Sequence, residues 1–228
     1  MVPYDGVVHP GDRYHFIRFP KAQSTWGTGT TLADLGLRVS TGKVVDFRAR
    51  DYLTTADADG AVPLIYPGNL RGGEIEWPRE IKKAQGFLAQ DTFSHKQLLP
   101  EGIYVLIKRF SAKEERRRVV AAVWDGHGPV AVENHLNVIH RNGAGLDRDL
   151  AVGLSLWLNS TPLDALFREF SGHTQVNATD LRTLPFPDEA TPKGCHSACA
   201  TASHPLPLCL LRAFLTRGDT PEQQSFNP

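Results

Sequence analysis

Six cations, Lys108, Arg109, Lys113, Arg116, Arg117 and Arg118, fall within eleven residues and meet only two anions, Glu114 and Glu115. Carried on the turn of a hairpin, they would form a phosphate-facing surface whose affinity falls with salt as counterions are released. The plainer alternative is a solvated charged turn between two strands. Lys43, Arg48 and Arg50 form a second, smaller group, in which the alternate residues Arg48 and Arg50 share a face if the segment is a strand.

A polar stretch, Gly172-His173-Thr174-Gln175-Val176-Asn177-Ala178-Thr179-Asp180, follows a helical segment. Gln and Asn side chains can pair with the edge of adenine in the major groove, and Thr can touch a thymine methyl. His173, Thr174, Gln175 and Asn177 are therefore candidate base contacts. The same residues also suit a helix start, with Asn177 or Thr179 as the cap and Asp180 in the first turn.

Other constellations are weaker. Glu80-Ile81-Lys82 has the Glu-x-Lys form of metal-dependent nucleases, with Asp57 or Asp59 as an upstream ligand. It follows a loop marked by Pro78, however, where such a site needs a buried strand. Cys195, Cys199, His204 and Cys209 are zinc-ligand types at spacings that match no common finger. His135, His140 and His173 read as separate strand or turn histidines. No metal is expected.

The elements that must position these residues follow from periodicity. Gly102–Phe110 and Arg118–Trp124 read as paired strands, and Val130–Ile139 as a third strand with one buried face. Val62–Tyr66 is a further strand after the turn Asp57–Gly60, and Val39–Arg48 suggests the start of a hairpin. Leu32–Leu37 reads as a helical turn ended by Gly36. Apolar spacings of three and four then predict a helix over Asp149–Leu158, and Pro162 opens a second that runs to Phe170. Strands followed by helices argue for an α+β fold with a mixed, mainly antiparallel sheet followed by two helices. From about Glu189 the prolines and small residues predict a poorly ordered tail.

Composition limits the function classes. The chain has 228 residues, 25 basic and 25 acidic side chains and no net charge, so any polyanion must be bound by local clustering. No apolar run reaches the roughly 20 residues of a membrane helix, and the first residues lack the pattern of a secretory signal, so no membrane partner and a cytoplasmic setting are expected. All three cysteines lie in the last 34 residues, and the main body is expected to fold without disulfides.

Five ordered blocks carry a resemblance: VSTGKVVDFRARDYL, PLIYPGNLRGGEIEWP, YVLIKRFSAKEERRRVVAAVW, VENHLNVIH and LWLNSTPLDALFREFSGHTQVNATDLRTLPFP. Together they resemble the C-terminal, TaqI-like target-recognition region of type II restriction–modification adenine-specific DNA methyltransferases, and the last is also similar to type I specificity domains. The resemblance implies residues 1–31 as the trailing edge of a catalytic domain otherwise absent, 32–188 as the DNA target-recognition domain and 189–228 as the tail. It implies double-stranded DNA as partner, with Lys43, Arg48, Arg50 and the 108–118 cations on phosphates and the 173–177 side chains near bases. A complete enzyme of this family uses S-adenosylmethionine. This sequence has only the lone Gly27-Thr28-Gly29 as a donor-binding turn and ends on Asn227-Pro228 without the Asn/Asp-Pro-Pro-aromatic motif, so no cofactor is expected in this chain. A separate catalytic domain acting in trans is the alternative arrangement.

Overall fold

The computed structural model describes residues 30–112, 114–170 and 174–186. The expected N-terminal remnant apart from its residues 30 and 31, the Cys-containing tail, Lys113 and His173 lie outside these residues.

Two sheets and three C-terminal helices build the fold. In chain order the elements are β1 (Arg38–Thr41), β2 (Leu53–Thr54), β3 (Val62–Ile65), β4 (Leu70–Arg71), β5 (Glu74–Ile75), β6 (Gly86–Phe87), α1 (Thr92–His95), β7 (Leu98–Leu99), β8 (Tyr104–Lys108), β9 (Ala121–Trp124), β10 (Val130–Val132), β11 (Leu136–His140), α2 (Arg148–Leu158), α3 (Thr161–Phe170) and α4 (Ala178–Thr183). One sheet has six strands in the order β1-β11-β8-β9-β5-β4, and the other has five, β2-β6-β3-β10-β7. Among the strands of the described residues, β3–β10 and β5–β9 are the parallel pairs and the others are antiparallel. The α+β class with mainly antiparallel pairing is therefore as expected.

The period of two sorts β8 between two cores. Val105 and Ile107 face the helices, beside Val39, Ala121, Ile139, Leu154, Trp157 and Phe167. Tyr104 and Leu106 face the second sheet, beside Leu136, Val138, Val130 and Val132. Both faces of β8 are thus buried, which is why its apolar run is continuous. A third cluster, around Leu64, Phe87, Ala131 and Val44, covers the far side of the five-stranded sheet. Each fully buried side chain of this size contributes about 1.5–3 kcal/mol.

Local chemistry fixes the helices. The Asp147 carboxylate accepts from the N–H groups of Asp149 and Leu150 and caps α2. At the other end Asn159 behaves like a neighbouring strand: its Oδ1 accepts from the Ala121 N–H at 3.1 Å and its Nδ2 donates to the Ala121 carbonyl at 2.8 Å. This ties the α2–α3 joint to β9. Gly36, at φ +68, ends the turn after Leu32.

Two expectations are corrected. The run Val130–Ile139 is not one strand: it breaks at Glu133-Asn134-His135, and its halves, β10 and β11, enter different sheets. Both halves are apolar because each is sandwiched, so hydrophobicity alone conceals the corner. Lys43, Arg48 and Arg50 do not alternate along a strand, because β1 ends at Thr41, residues 46–48 form a turn and Arg50–Tyr52 is a 3₁₀ turn.

Candidate nucleic-acid interface

Beyond Lys108 the β8 chain continues as the middle of a three-part edge. On one side the Arg109 N–H donates to the His135 carbonyl at 2.9 Å. On the other, the Val176 N–H donates to the Arg109 carbonyl at 2.7 Å and the Ser111 N–H to the Thr174 carbonyl at 3.0 Å. Phe110 and Gln175 face each other as an antiparallel pair. The buried Asn137 side chain donates to the Val176 carbonyl at 2.7 Å and locks the second junction from beneath. The Arg109 guanidinium donates to the Asn134 carbonyl at 2.6 Å, and the Asn134 N–H to the Val44 carbonyl at 2.8 Å.

Main-chain pairing therefore brings part of the basic cluster and part of the polar stretch to one place, although they lie more than sixty residues apart in sequence. On this edge Phe110 is 43% exposed. The Arg109 guanidinium lies 5.7 Å from the Phe110 ring centroid and the His135 ring 5.2 Å away. Cationic, aromatic and hydrogen-bonding groups on one surface suit nucleic acid, which offers phosphates, π-faces and base edges together. Sequence reasoning missed Phe110 and His135. The available signals were an aromatic beyond the buried run and a polar triplet interrupting two apolar stretches.

Beneath this edge lies a polar cluster. Glu133 is 2% exposed. Its carboxylate accepts the His135 backbone N–H at 2.9 Å and meets His135 Nδ1 at 2.5 Å. Nearby, Lys83 Nζ pairs with Asp46 Oδ2 at 2.6 Å, and this contact holds the ammonium above its ordinary value. Burial pushes the Tyr66 hydroxyl far up, aided by Asp46 and Glu133, so Tyr66 stays neutral.

The remaining candidate residues divide by environment. Arg118 is buried at 2% exposure: its Nε donates to Ser111 Oγ at 3.1 Å, its backbone N–H to Asp164 at 2.6 Å, and its guanidinium covers the Phe167 ring. It pins the 109–120 connection to α3 and leaves the phosphate-facing set. Arg116 is exposed and Arg117 half-buried on the same connection, which Arg168 holds through the Glu115 carbonyl. Lys108 is half-buried at the end of β8. Lys43 is exposed but donates to the carbonyls of Lys96 and Leu98 at 3.0 and 3.2 Å. Arg48 is exposed, its guanidinium 5.4 Å from the ring of exposed Phe47, and Arg50 is also exposed.

In the polar stretch, Thr174 is exposed and Gln175 half-buried. Asn177 occupies the N-cap of α4, where its N–H donates to the Asp180 carboxylate at 3.0 Å. The capping reading of Asn177 and Asp180 describes this geometry, and it sets the exit of the polar stretch.

The rival chemistries find little support here. Glu80 and Lys82 are exposed on irregular chain, and among the described residues no three His, Cys, Asp or Glu side chains gather to share a metal. The cysteine-containing segment lies outside the described residues. Among the described residues, no helix is long and apolar enough to cross a membrane.

No family model matches the chain. The type II methyltransferase M.BsuBI of Bacillus subtilis is 42% identical over 195 residues, covering 81% of this chain. The type II methyltransferase M.PstI of Providencia stuartii is 42% identical over 197 residues, covering 82%. The chain spans 39% of the length of each of these relatives. Over four fifths of its residues, this chain is thus homologous to a portion of the type II methyltransferases.

Proposed function

We propose that this chain is the target-reading part of a restriction–modification DNA methyltransferase that modifies adenine within a specific sequence. One observation carries the reading: part of the cationic cluster and part of the polar stretch are paired on one edge in a chain 42% identical to two type II methyltransferases. Arg109, Arg116, Arg117, Lys108, Arg48, Arg50 and Lys43 hold phosphates and fix register. Thr174 and Gln175 approach base edges. Phosphate contacts position the protein and base contacts specify the sequence.

In a complete enzyme of this kind S-adenosylmethionine supplies the methyl group. The described residues do not fit a donor site. The strand–turn–helix unit closest to one, β11 to α2, contains Gly143 and Gly145, but its helix start is filled by the Asp147 carboxylate. Gly145 packs directly against the backbone of Gly102 and Ile103, which leaves no space for a ligand. The chemistry therefore belongs to a catalytic domain, in the same polypeptide or in trans, and not to these residues.

The test is binding of the 228-residue chain to short duplexes at low and moderate salt, followed by mixing with a separately produced catalytic domain and labelled methyl donor. The expected results are duplex binding that weakens with salt and methyl transfer to adenine in the mixture. Absence of duplex binding at low salt would defeat the proposal.

A further inference from the structure

Glu133 is a carboxylate at 2% exposure, and burial of a charged oxygen is tolerated only where hydrogen bonds replace water. Those bonds come from His135: its backbone N–H reaches Oε2 at 2.9 Å and its ring Nδ1 reaches Oε1 at 2.5 Å. The ring is fixed a second time by Phe110, 5.2 Å away. The His135 side chain nevertheless remains 54% exposed. It is held in one orientation at the surface, on the same edge as Gln175 and Arg109.

This arrangement decides which atom faces outward. With Nδ1–H given to Glu133, the hydrogen-bonding atom left on the imidazole is Nε2, and on a neutral ring it accepts. The base-edge donors in the major groove are the exocyclic amines of adenine and cytosine. A side chain oriented in advance also loses little freedom on binding.

We propose that His135 is a specificity-determining residue, whose Nε2 accepts a hydrogen bond from the exocyclic amine of adenine or cytosine at one base pair of the target. Glu133 and Phe110 act as positioning residues. The inference rests on the DNA-reading function above and extends it to a residue, an atom and a base-edge group.

The test begins with a duplex selected from a random pool by the 228-residue chain. Affinities of the wild type, His135→Ala and His135→Phe are then measured on this duplex and on versions in which single amines are removed, with purine in place of adenine or 2-pyrimidinone in place of cytosine. The two replacements distinguish the bases. At one position the wild type should lose about 5- to 150-fold in affinity when the amine is removed. His135→Ala should bind the intact duplex more weakly by a similar factor and be indifferent to that amine, with unchanged salt slope and unchanged binding to unrelated DNA. His135→Phe keeps a ring against Phe110 but lacks Nε2, so it should behave like His135→Ala. Glu133→Gln should reduce discrimination at the same position only.

Equal weakening on every duplex with a flatter salt slope would make His135 a phosphate contact and overturn the proposal. So would sensitivity to changes at guanine in place of an amine, or recovery of amine discrimination in His135→Phe. If the wild-type chain enriches no duplex at all, the underlying DNA-reading function fails, which is a different result from finding no His135-dependent position.

Discussion

The backbone N–H of Gly143 donates to Nδ1 of His140 at 2.8 Å. Gly143 sits at φ +90 after Asn142 at φ 51, a pair of left-handed residues that turns β11 toward α2. The bond requires an unprotonated Nδ1. Burial holds His140 below the ordinary imidazole value, and the cations Arg38 and Lys43 add to the effect.

The sign of the pH dependence follows from that depression. The unfolded chain binds this proton more readily, so the stabilisation is complete above the unfolded value of about 6.5 and is lost as pH falls from there through the lower folded value. Melting temperature should therefore drop between pH 7 and pH 5, and His140→Gln should flatten that part of the profile. NMR titration of the ring is the direct check. A His140 that titrates at or above 6.5 would contradict the argument.

Arg116 and Arg117 should separate cleanly from their neighbour Arg118. Alanine at both 116 and 117 is expected to leave stability nearly unchanged, weaken binding to all duplexes and lower the salt slope by up to about 1.8. Arg118→Ala should instead destabilise the fold by roughly 2–4 kcal/mol, because it empties a buried site between Ser111 and Phe167. Denaturant melts and binding isotherms of the two variants distinguish these roles. A stable Arg118→Ala protein with reduced DNA affinity would reverse the assignment.

Asn159→Ala removes the side chain that pairs with both backbone groups of Ala121. Two buried strand groups lose their partner, at a cost of about 1–3 kcal/mol each at most. Hydrogen exchange should show the Ala121 amide losing protection more than amides in the middle of β8. Asn159→Asp restores the acceptor toward the Ala121 N–H but faces its carbonyl with another oxygen, so rescue should be incomplete.

Gly42→Ala probes the support of the candidate DNA edge. A Cβ at Gly42 would collide with the carbonyl of Glu133, which is backbone and cannot swing aside. The variant is expected to lose more than about 2 kcal/mol of stability. A variant that still folds should show shifted NMR signals at His135 before those at α2. Unchanged His135 signals would mean that the corner yields elsewhere.

The parts of the fold legible in the sequence were those where one physical demand dominated. Tyr104–Ile107 is apolar throughout because both faces are covered, and α2 shows helical spacing because it packs along the sheet. The break at Glu133-Asn134-His135 left only the polar triplet as its trace, since the strands on either side are both sandwiched. Two-residue strands such as β4 and β6 carry too few side chains to show a period. The same reasoning explains the candidate site. Charge density pointed to the 108–118 segment, but only tertiary packing shows that Arg118 points inward. A histidine beside an aromatic from a distant strand leaves no trace in local spacing, so the edge made by His135 and Phe110 emerged only from the fold.

The three stretches of the candidate edge meet through peptide groups: Arg109 with His135, Arg109 with Val176, and Ser111 with Thr174. Peptide groups are the same whatever residue carries them. Substitutions at Phe110, Thr174 and Gln175 therefore leave the peptide bonds of the seam in place, whereas His135 also partners the buried Glu133 carboxylate. On the proposed function, such a surface lets the recognised address change while the framework that presents the recognition residues is inherited intact.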